Sequence, residues 1–330
     1  MGLEILVFLV VVALAFDFMN GFHDAANSIA TIVSTGAMSP QAAVVWAAFF
    51  NFIAFLFFGL HVAATVGKGI VNPEIIDQHI IFGALTGAIA WNLITWYYGI
   101  PSSSSHALVG GLTGAAVAQG GTSSLIAAGF IKTAVAIVLS PLLGFFLAGM
   151  LMVGAAWIGR MFTPRKMDRA FNGLQFVSAA LYSLGHGSND AQKTMGIIWV
   201  LLIAAGTIGA QDPLPFWVVL VCQTAMGAGT LFGGWRIVKT MGMRITKLKP
   251  MGGFCASASG ATCLFLATSF GIPVSTTHTI TGSIVGVGAA RKFQAVRWGV
   301  AGNLVWAWIF TIPASAFVAA VAWSLSNHLF

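Results

Sequence analysis

Two short polar stretches decide the fold of this chain: GIPSSSSH at residues 99–106 and GIPVSTTH at residues 271–278. A second pair occurs earlier in each half, with NGFHDA at residues 20–25 and HGSNDA at residues 186–191. Two different polar motifs that recur in the same order predict an internal duplication. We therefore divide the chain into a first repeat, residues 1–164, and a second repeat, residues 165–330.

The composition excludes a water-soluble globule. Of the 330 residues, 58% are hydrophobic and only 7% are charged, whereas soluble domains carry about 25% charged residues. Apolar blocks such as residues 42–66 and 298–325 exceed the roughly 20 residues that a helix needs to cross a bilayer. A transmembrane β-barrel would instead show short strands of alternating polarity. The predicted fold class is an all-α polytopic (multi-pass) protein of the cell membrane, with both repeats in one transmembrane domain.

Each repeat contains five hydrophobic segments in the same order. The third and fourth segments are joined only by Gly-Ile-Pro and a run of hydroxyl residues, which predicts a helical, re-entrant hairpin with a polar tip. The first segment of each repeat is apolar at both ends and polar in the middle. We expect these two transmembrane helices to be broken near residues 20–27 and 185–190.

The charge distribution predicts the orientation. The net charge is +7, and most of the 15 Lys and Arg residues cluster at residues 160–169, 236–249 and 291–297. By the positive-inside rule these clusters face the cytoplasm, which places both termini outside the cytoplasm and leaves no reason to expect a nucleic-acid partner. An odd number of crossings per repeat, three with re-entrant hairpins or five with spanning ones, makes the repeats inverted.

Broken helices at corresponding places in inverted repeats are typical of a transporter site near the bilayer midplane. Of eight acidic residues, only Asp17, Asp24 and Asp190 lie deep in apolar segments, where each costs at least about 2.5 kcal/mol. We assign Asp24 and Asp190, together with Asn20, to cation coupling, and the two aspartates would ligate sodium if sodium is the coupling ion. Asp17 has no acidic counterpart in the second repeat, where Ser183 stands.

The hairpin tips combine hydroxyls with the free N–H groups of a helix start after proline, a donor set that suits a tetrahedral oxyanion. The alternative role for these residues is helix capping. Lys193 could pair with Asp190, contact the anion, occupy the place of a cation or snorkel to an interface. His106 and His278 are expected to be neutral and bonded to a helix, with direct contact to the ligand as the alternative. The predicted substrate-binding residues are Asn27, Ser28, Ser104, Ser105, Asn189, Lys193, Thr194, Ser275, Thr276 and Thr277.

At these motifs the sequence resembles the PiT family of inorganic phosphate transporters, and most closely its bacterial low-affinity permeases. The resemblance covers nearly the whole chain and implies import of inorganic phosphate by symport with sodium or protons, through alternating access. It also implies a homodimer among membrane lipids and no resident cofactor. In proton-type members, phosphate can be transported as a complex with a divalent metal. Proton-type members resemble this sequence at Lys193, whereas sodium-type members tend to have Asn there.

Three other functions fit parts of the pattern. A permease of the same fold could carry sulfate or another oxyanion, and an anion channel would need a continuous pore without coupling. An intramembrane hydrolase could use Ser104 or Ser188 with a nearby His and Asp, but such an enzyme needs one nucleophilic site rather than two mirrored motifs. We therefore do not expect an enzyme. A bare phosphate dianion in a low dielectric would cost tens of kcal/mol, so a coupling cation is expected.

Overall fold

Twelve α-helices follow one another in residues 1–329, the part of the chain that the computed structural model describes. The first six are α1 (Leu3–Ser34), α2 (Pro40–Ile53), α3 (His61–Lys68), α4 (Gln78–Tyr98), α5 (Ser104–Gly120) and α6 (Ala127–Gly159). The second six are α7 (Pro164–Ala204), α8 (Phe216–Phe232), α9 (Trp235–Lys239), α10 (Pro250–Ser269), α11 (Thr276–Arg291) and α12 (Trp298–Leu329). The last residue of the predicted second repeat, Phe330, lies outside the described residues.

The helices confirm a multi-pass membrane protein. Five of them, α1, α4, α6, α10 and α12, are long and apolar enough to cross a bilayer, and the bent pairs α2/α3 and α8/α9 raise the number to as many as seven. Helix α7 has 41 residues and is about 60 Å long at 1.5 Å per residue. Its middle is rich in polar side chains that are buried against other helices.

The predicted positions of the helix breaks are wrong. Helices α1 and α7 run without interruption through residues 20–27 and 185–190, because their polar side chains find partners on neighbouring elements and the backbone keeps its helical hydrogen bonds. Each repeat does contain a broken span, but it is the second one. Helices α2 and α3 meet at 83°, and the helices on either side of residues 233–234 meet at 62°. Gly59 lies at the first break and Gly233, with a φ of +64°, at the second.

The two predicted hairpins are α4–α5 and α10–α11. Their first arms end at Gly99 and Gly271, whose φ angles of +66° and +61° belong to the left-handed conformation that glycine adopts without strain. Helices α5 and α11 begin three residues after the prolines, not at them, because Ser103 and Ser275 act as N-caps. Part of each hydroxyl run therefore lies in the turn at the tip.

Contacts between the repeats occur in pairs related by exchange of the two halves. A Cβ added to Gly21 of α1 would lie 2.2 Å from the carbonyl oxygen of Met226 in α8, and one added to Gly187 of α7 would lie 2.4 Å from that of Asn51 in α2. Only glycine permits such close approach of two helix backbones. The last helix of each repeat also packs on the hairpin of the other, α12 on α4 and α5, and α6 on α10 and α11. The repeats are therefore interlocked around a pseudo-two-fold axis.

The short helices after the breaks hold the hairpin tips. Thr65 of α3 donates to the carbonyl oxygen of Gly271 at 2.7 Å, and Thr240, directly after α9, donates to that of Gly99 at 3.1 Å. These two bonds are again related by the pseudo-symmetry. Each broken span thus positions the tip that belongs to the opposite repeat.

Helices α1 and α7 cross in opposite directions at the centre. Asp24 of α1 lies close to Asp190 of α7, while Asp17, earlier in α1, lies beside Thr194, later in α7. An axis that relates two antiparallel segments is perpendicular to them, which is the arrangement expected of inverted repeats. Helix α7 begins at Pro164, and the division into residues 1–164 and 165–330 stays a prediction.

Candidate binding site between the hairpin tips

Each repeat fixes one buried carboxylate with a hydroxyl from its own hairpin tip. Ser104 donates to Oδ2 of Asp24 at 2.8 Å, and Thr276 donates to Oδ2 of Asp190 at 3.0 Å. Ser104 and Thr276 are the first residues of α5 and α11, and they occupy equivalent positions in the two tip motifs. Both aspartates are almost completely buried, at 2% and 0% exposure.

The second oxygen of each carboxylate has a different partner in each repeat. His23 Nδ1 lies 2.6 Å from Oδ1 of Asp24, whereas Lys193 Nζ lies 2.5 Å from Oδ1 of Asp190. His186 Nε2 approaches Oδ2 of Asp190 at 3.4 Å. The first half of the site is therefore closed by an imidazole and the second by an ammonium group.

His23 and His186 were not among the predicted site residues, although both belong to the repeated polar motifs. His23 directly precedes Asp24, and His186 precedes Asp190 by one helical turn. This proximity to the aspartates is the sequence signal that could have identified both histidines as site residues. Asn20, which was predicted, lies at the place in α1 that corresponds to His186 in α7. Its side-chain oxygen lies 2.5 Å from the Ser104 hydroxyl oxygen, so Asn20 and Asp24 share the single O–H of Ser104.

A second set of contacts reaches across to the tip of the opposite hairpin. Asn27 of α1 donates from Nδ2 to the hydroxyl oxygen of Thr277 at 2.9 Å and to that of Thr276 at 3.3 Å. Lys193 of α7, at the equivalent place, donates to the hydroxyl of Ser105 in the opposite tip, and also to the carbonyl oxygen of Val274 in the tip of its own repeat. Each long helix thus binds both tips, its own through the aspartate and the other through Asn27 or Lys193.

Lys193 does not snorkel to an interface, since its side chain is only 2% exposed. Its ammonium group has three partners, the carboxylate of Asp190, the hydroxyl of Ser105 and the carbonyl oxygen of Val274. An ammonium group carries three N–H donors, so its hydrogen-bonding capacity is filled.

The two tips also touch each other. Ser105 donates to the carbonyl oxygen of Val274 at 3.2 Å, and the rings of His106 and His278 meet edge to face with centroids 4.3 Å apart. Within residues 1–329 the ring nitrogens of His106 have no hydrogen-bond partner, whereas the ring of His278 lies within reach of the backbone of Ile137 in helix α6. The rings pack on each other, and His278 also stacks on Trp308 at 3.8 Å.

Two predicted residues hold the backbone of the second tip. Asn189 donates to the hydroxyl of Thr268 at 3.1 Å and to the carbonyl of Ile272 at 3.2 Å, and its side-chain oxygen accepts from the N–H of Val274. Ser275 accepts a hydrogen bond from the backbone N–H of His278 at 3.1 Å as the N-cap of α11. Both residues are therefore engaged in shaping the tip.

Three predicted residues keep buried polar atoms without a protein partner in the described part of the chain: Oδ1 of Asn27 and the hydroxyl oxygens of Ser28 and Thr194. Ser28 and Thr194 occupy equivalent positions in α1 and α7. Buried polar atoms are normally hydrogen-bonded, so the Asn27 oxygen and the Ser28 hydroxyl are available to a ligand or to water, whereas the Thr194 hydroxyl lies beside the carboxyl group of Asp17.

The arrangement can bind an anion and a cation side by side. Hydroxyl, amide and ammonium donors converge from α1, α7 and both tips, and no predicted site residue is more than 4% exposed, so the site is closed to both sides of the bilayer. Ligand atoms of Asp24, His186 and Asp190 lie within 4.8 Å of one another. Carboxylate oxygens suit hard cations and also accept protons.

Comparison with known proteins agrees with this architecture. The model of the phosphate transporter family matches residues 20–163 and 159–319. A probable low-affinity inorganic phosphate transporter of Rhizobium meliloti is 62% identical over 98% of this chain and 97% of its own length, and one of Bacillus subtilis is 47% identical over 98% of both chains. A solved structure described as a sodium-dependent phosphate transporter superposes with a TM-score of 0.88 at 26% identity, covering 99% of this chain and 100% of that one. The match extends over both repeats and over every element that builds the site, and the chain belongs to the phosphate transporter family.

Proposed function

We propose that this protein imports inorganic phosphate by secondary active symport with a cation, through alternating access at the site between the hairpin tips. The observation that carries the proposal is the convergence of hydroxyls from both tips, the Asn27 amide and the Lys193 ammonium group beside two buried carboxylates. Family membership and the names of the similar proteins support phosphate as the substrate.

The donors would bind the phosphate oxygens, and the carboxylates would select its protonation state. Hydrogen phosphate can donate a hydrogen bond to Asp24 or Asp190, whereas sulfate, which stays fully ionised, cannot. The contacts that now join the tips to α1 and α7 would be exchanged for contacts to the substrate. Substrate specificity would then follow from the mixture of donors and acceptors in one closed site.

We propose the proton as the coupling ion. The ammonium group of Lys193 is already 2.5 Å from Asp190, so a sodium ion on this carboxylate would face a like charge at close range. Sodium ligation by Asp24 and Asp190 is the alternative, and a relative described as sodium-dependent makes it worth testing directly. Joint transport of a divalent metal with phosphate rests on the family resemblance alone.

Alternating access would require the two tips to separate from one side at a time. The contacts of Ser105 with Val274 and of His106 with His278 are the ones that such a movement would break first. We place the protein in the cell membrane as a homodimer, with both termini outside the cytoplasm, on the basis of the basic clusters and the family resemblance.

Uptake of labelled phosphate into proteoliposomes tests this function. We expect uptake to follow an imposed proton gradient, to be inhibited by unlabelled phosphate more than by sulfate, and to be lost in Asp24→Asn and Asp190→Asn. Glu74→Gln, a change of an exposed acid in a loop, is the matched control and should transport normally.

Each part of the proposal can fail separately. Uptake that survives both Asp→Asn changes would remove the proposed site. A strict sodium requirement would replace the proton as coupling ion, and gradient-independent flux would indicate a channel.

A further inference from the structure

A third buried acid lies outside the cluster described above. Asp17 of α1 is 0% exposed, and within residues 1–329 its carboxylate oxygens have no partner at normal hydrogen-bond geometry, although the Thr194 hydroxyl and the Cys222 thiol are placed to donate to them. It precedes Asp24 by seven residues, so it lies on nearly the same face of α1, about 10 Å further along the helix axis. Unlike Asp24, it is not held by a hairpin tip.

Among residues 1–329, the one cation that acts on Asp17 is Lys193, and it pairs with Asp190 instead. Thr194 of α7 and Cys222 of α8 border the carboxyl group, and the charged groups that act on it are Asp190 and Lys193 of α7. The ammonium group of Lys193 has all its donors engaged elsewhere. An ionised Asp17 would therefore be a buried, unpaired charge next to the like charge of Asp190, which is costly in the core of a membrane protein. The neutral acid fits these surroundings without that cost.

The fold does not need an acid at this position. The equivalent residue in the second repeat is Ser183, whose hydroxyl simply donates to the carbonyl oxygen of Ala179 in its own helix at 2.8 Å. The pseudo-symmetric packing of α1 and α7 thus accepts a small polar residue here. An acidic residue at membrane depth is energetically costly, and here it occurs in only one of the two repeats. Such a residue is expected to have a functional role.

The contact with Thr194 connects Asp17 to the binding site. Thr194 follows Asp190 by four residues on α7, so the two side chains are neighbours on one helix face. Its hydroxyl lies beside the Asp17 carboxyl group and can both accept and donate a hydrogen bond. Asp17, Thr194 and Asp190 therefore form a short polar path along the crossing of α1 and α7.

We propose that Asp17 is the residue that carries the coupling proton, an inference that rests on the proposed proton-coupled transport. In the closed conformation the carboxyl group is protonated. When α1 separates from α7 and α8, water reaches Asp17, the O–H bond breaks and the proton passes to water, which leaves the carboxylate. Reprotonation from water on the other side restores the neutral acid and allows closure.

The test compares two kinds of transport in Asp17→Asn. An asparagine mimics the neutral acid but cannot release a proton, so the ratio of uptake with a proton gradient to uptake without one should fall to about one, as expected when the coupling factor between two ligands is lost. Exchange of internal for external phosphate moves no net proton and should continue. Asp17→Glu should restore part of the response to the gradient, and Ser183→Ala, at the equivalent position, should leave it intact.

The outcomes separate this inference from the proposed function. If the wild type does not transport phosphate, the proposed function fails. If it does, and Asp17→Asn still responds to the proton gradient as the wild type does, Asp17 is not the proton carrier. Thermal unfolding adds a second readout, because Asp17→Asn should be at least as stable as the wild type. A variant that unfolds more easily or fails to fold would indicate an ionised, structural aspartate and would overturn the inference.

Discussion

The pair of Lys193 and Asp190 offers the sharpest test of the site's energetics. Changing Lys193 to Met removes the ammonium group that contacts Asp190 and leaves a carboxylate at 0% exposure without that partner. Breaking one partner of a buried ion pair costs about 3–5 kcal/mol. We expect Lys193→Met to lose stability of this order, together with phosphate uptake.

The pseudo-symmetry supplies a matched control. Asn27 occupies the equivalent position in α1 and also binds the opposite tip, but its removal leaves no charge unpaired. Leaving a buried neutral group without its hydrogen-bond partner costs about 1–3 kcal/mol. Asn27→Ala should therefore destabilise the protein less than Lys193→Met. The double variant Lys193→Met/Asp190→Asn removes both charges and should regain most of the lost stability.

Thermal unfolding in detergent measures the stability of the four purified proteins, the wild type and the three variants, under one condition. The expected order of stability is wild type, then the double variant and Asn27→Ala, then Lys193→Met. If Lys193→Met were as stable as Asn27→Ala, or if the double variant were no more stable than Lys193→Met alone, the reasoning from a buried ion pair would be refuted.

Two further predictions concern the tips and the helix crossings. Ser104→Ala and Thr276→Val each remove a hydroxyl that donates to a carboxylate, a bond worth about 1.5–3 kcal/mol, so both should raise the KM for phosphate uptake by similar factors. An effect confined to one tip would argue against a symmetric site. Gly21→Ala and Gly187→Ala should strongly destabilise the protein, because the new Cβ would lie 2.2 and 2.4 Å from a backbone oxygen of the facing helix. Gly173→Ala, in the exposed first third of α7, where a Cβ meets nothing within 4 Å, should be neutral or stabilising, and equal melting temperatures for all three variants would contradict the close packing.

Much of the architecture can be predicted from the sequence because the sequence contains two similar repeats. The recurrence of the tip motif predicts both hairpins, and the five hydrophobic segments per repeat correspond to the helices and bent pairs that the structure contains. The convergence of Asp24 and Asp190 with the tips also follows, since equivalent polar motifs in inverted repeats meet near the symmetry axis. The predicted roles of individual residues in binding remain to be tested.

The path of the backbone through the polar motifs could not be predicted. A dense run of polar residues such as residues 20–27 suggests an unwound segment, because an isolated span in lipid could not satisfy them. In the folded protein their partners come from the hairpin tips, which are far away in sequence. The real breaks lie in apolar stretches, where Gly59 and Gly233 were the only local signals.

The partners of the buried histidines depend on tertiary packing in the same way. Nothing in the sequence around His106 and His278 indicates that the two rings would face each other at 4.3 Å. The sequence signal for this contact is that the two histidines occupy equivalent positions in the two tip motifs. Two residues related by a two-fold axis touch each other only if both lie next to that axis.

The central claim is that one anion site lies where the two hairpin tips meet α1 and α7. Anomalous diffraction from crystals grown with arsenate, a tetrahedral analogue of phosphate with a strong anomalous signal, locates the anion directly. The account predicts an arsenic peak positioned so that the arsenate oxygens lie within hydrogen-bonding distance of the tip hydroxyls of Ser105 and Thr277 and of the Lys193 ammonium group. A peak only elsewhere, for instance in the basic cavity lined by Lys247, Lys249 and Arg291, would contradict it.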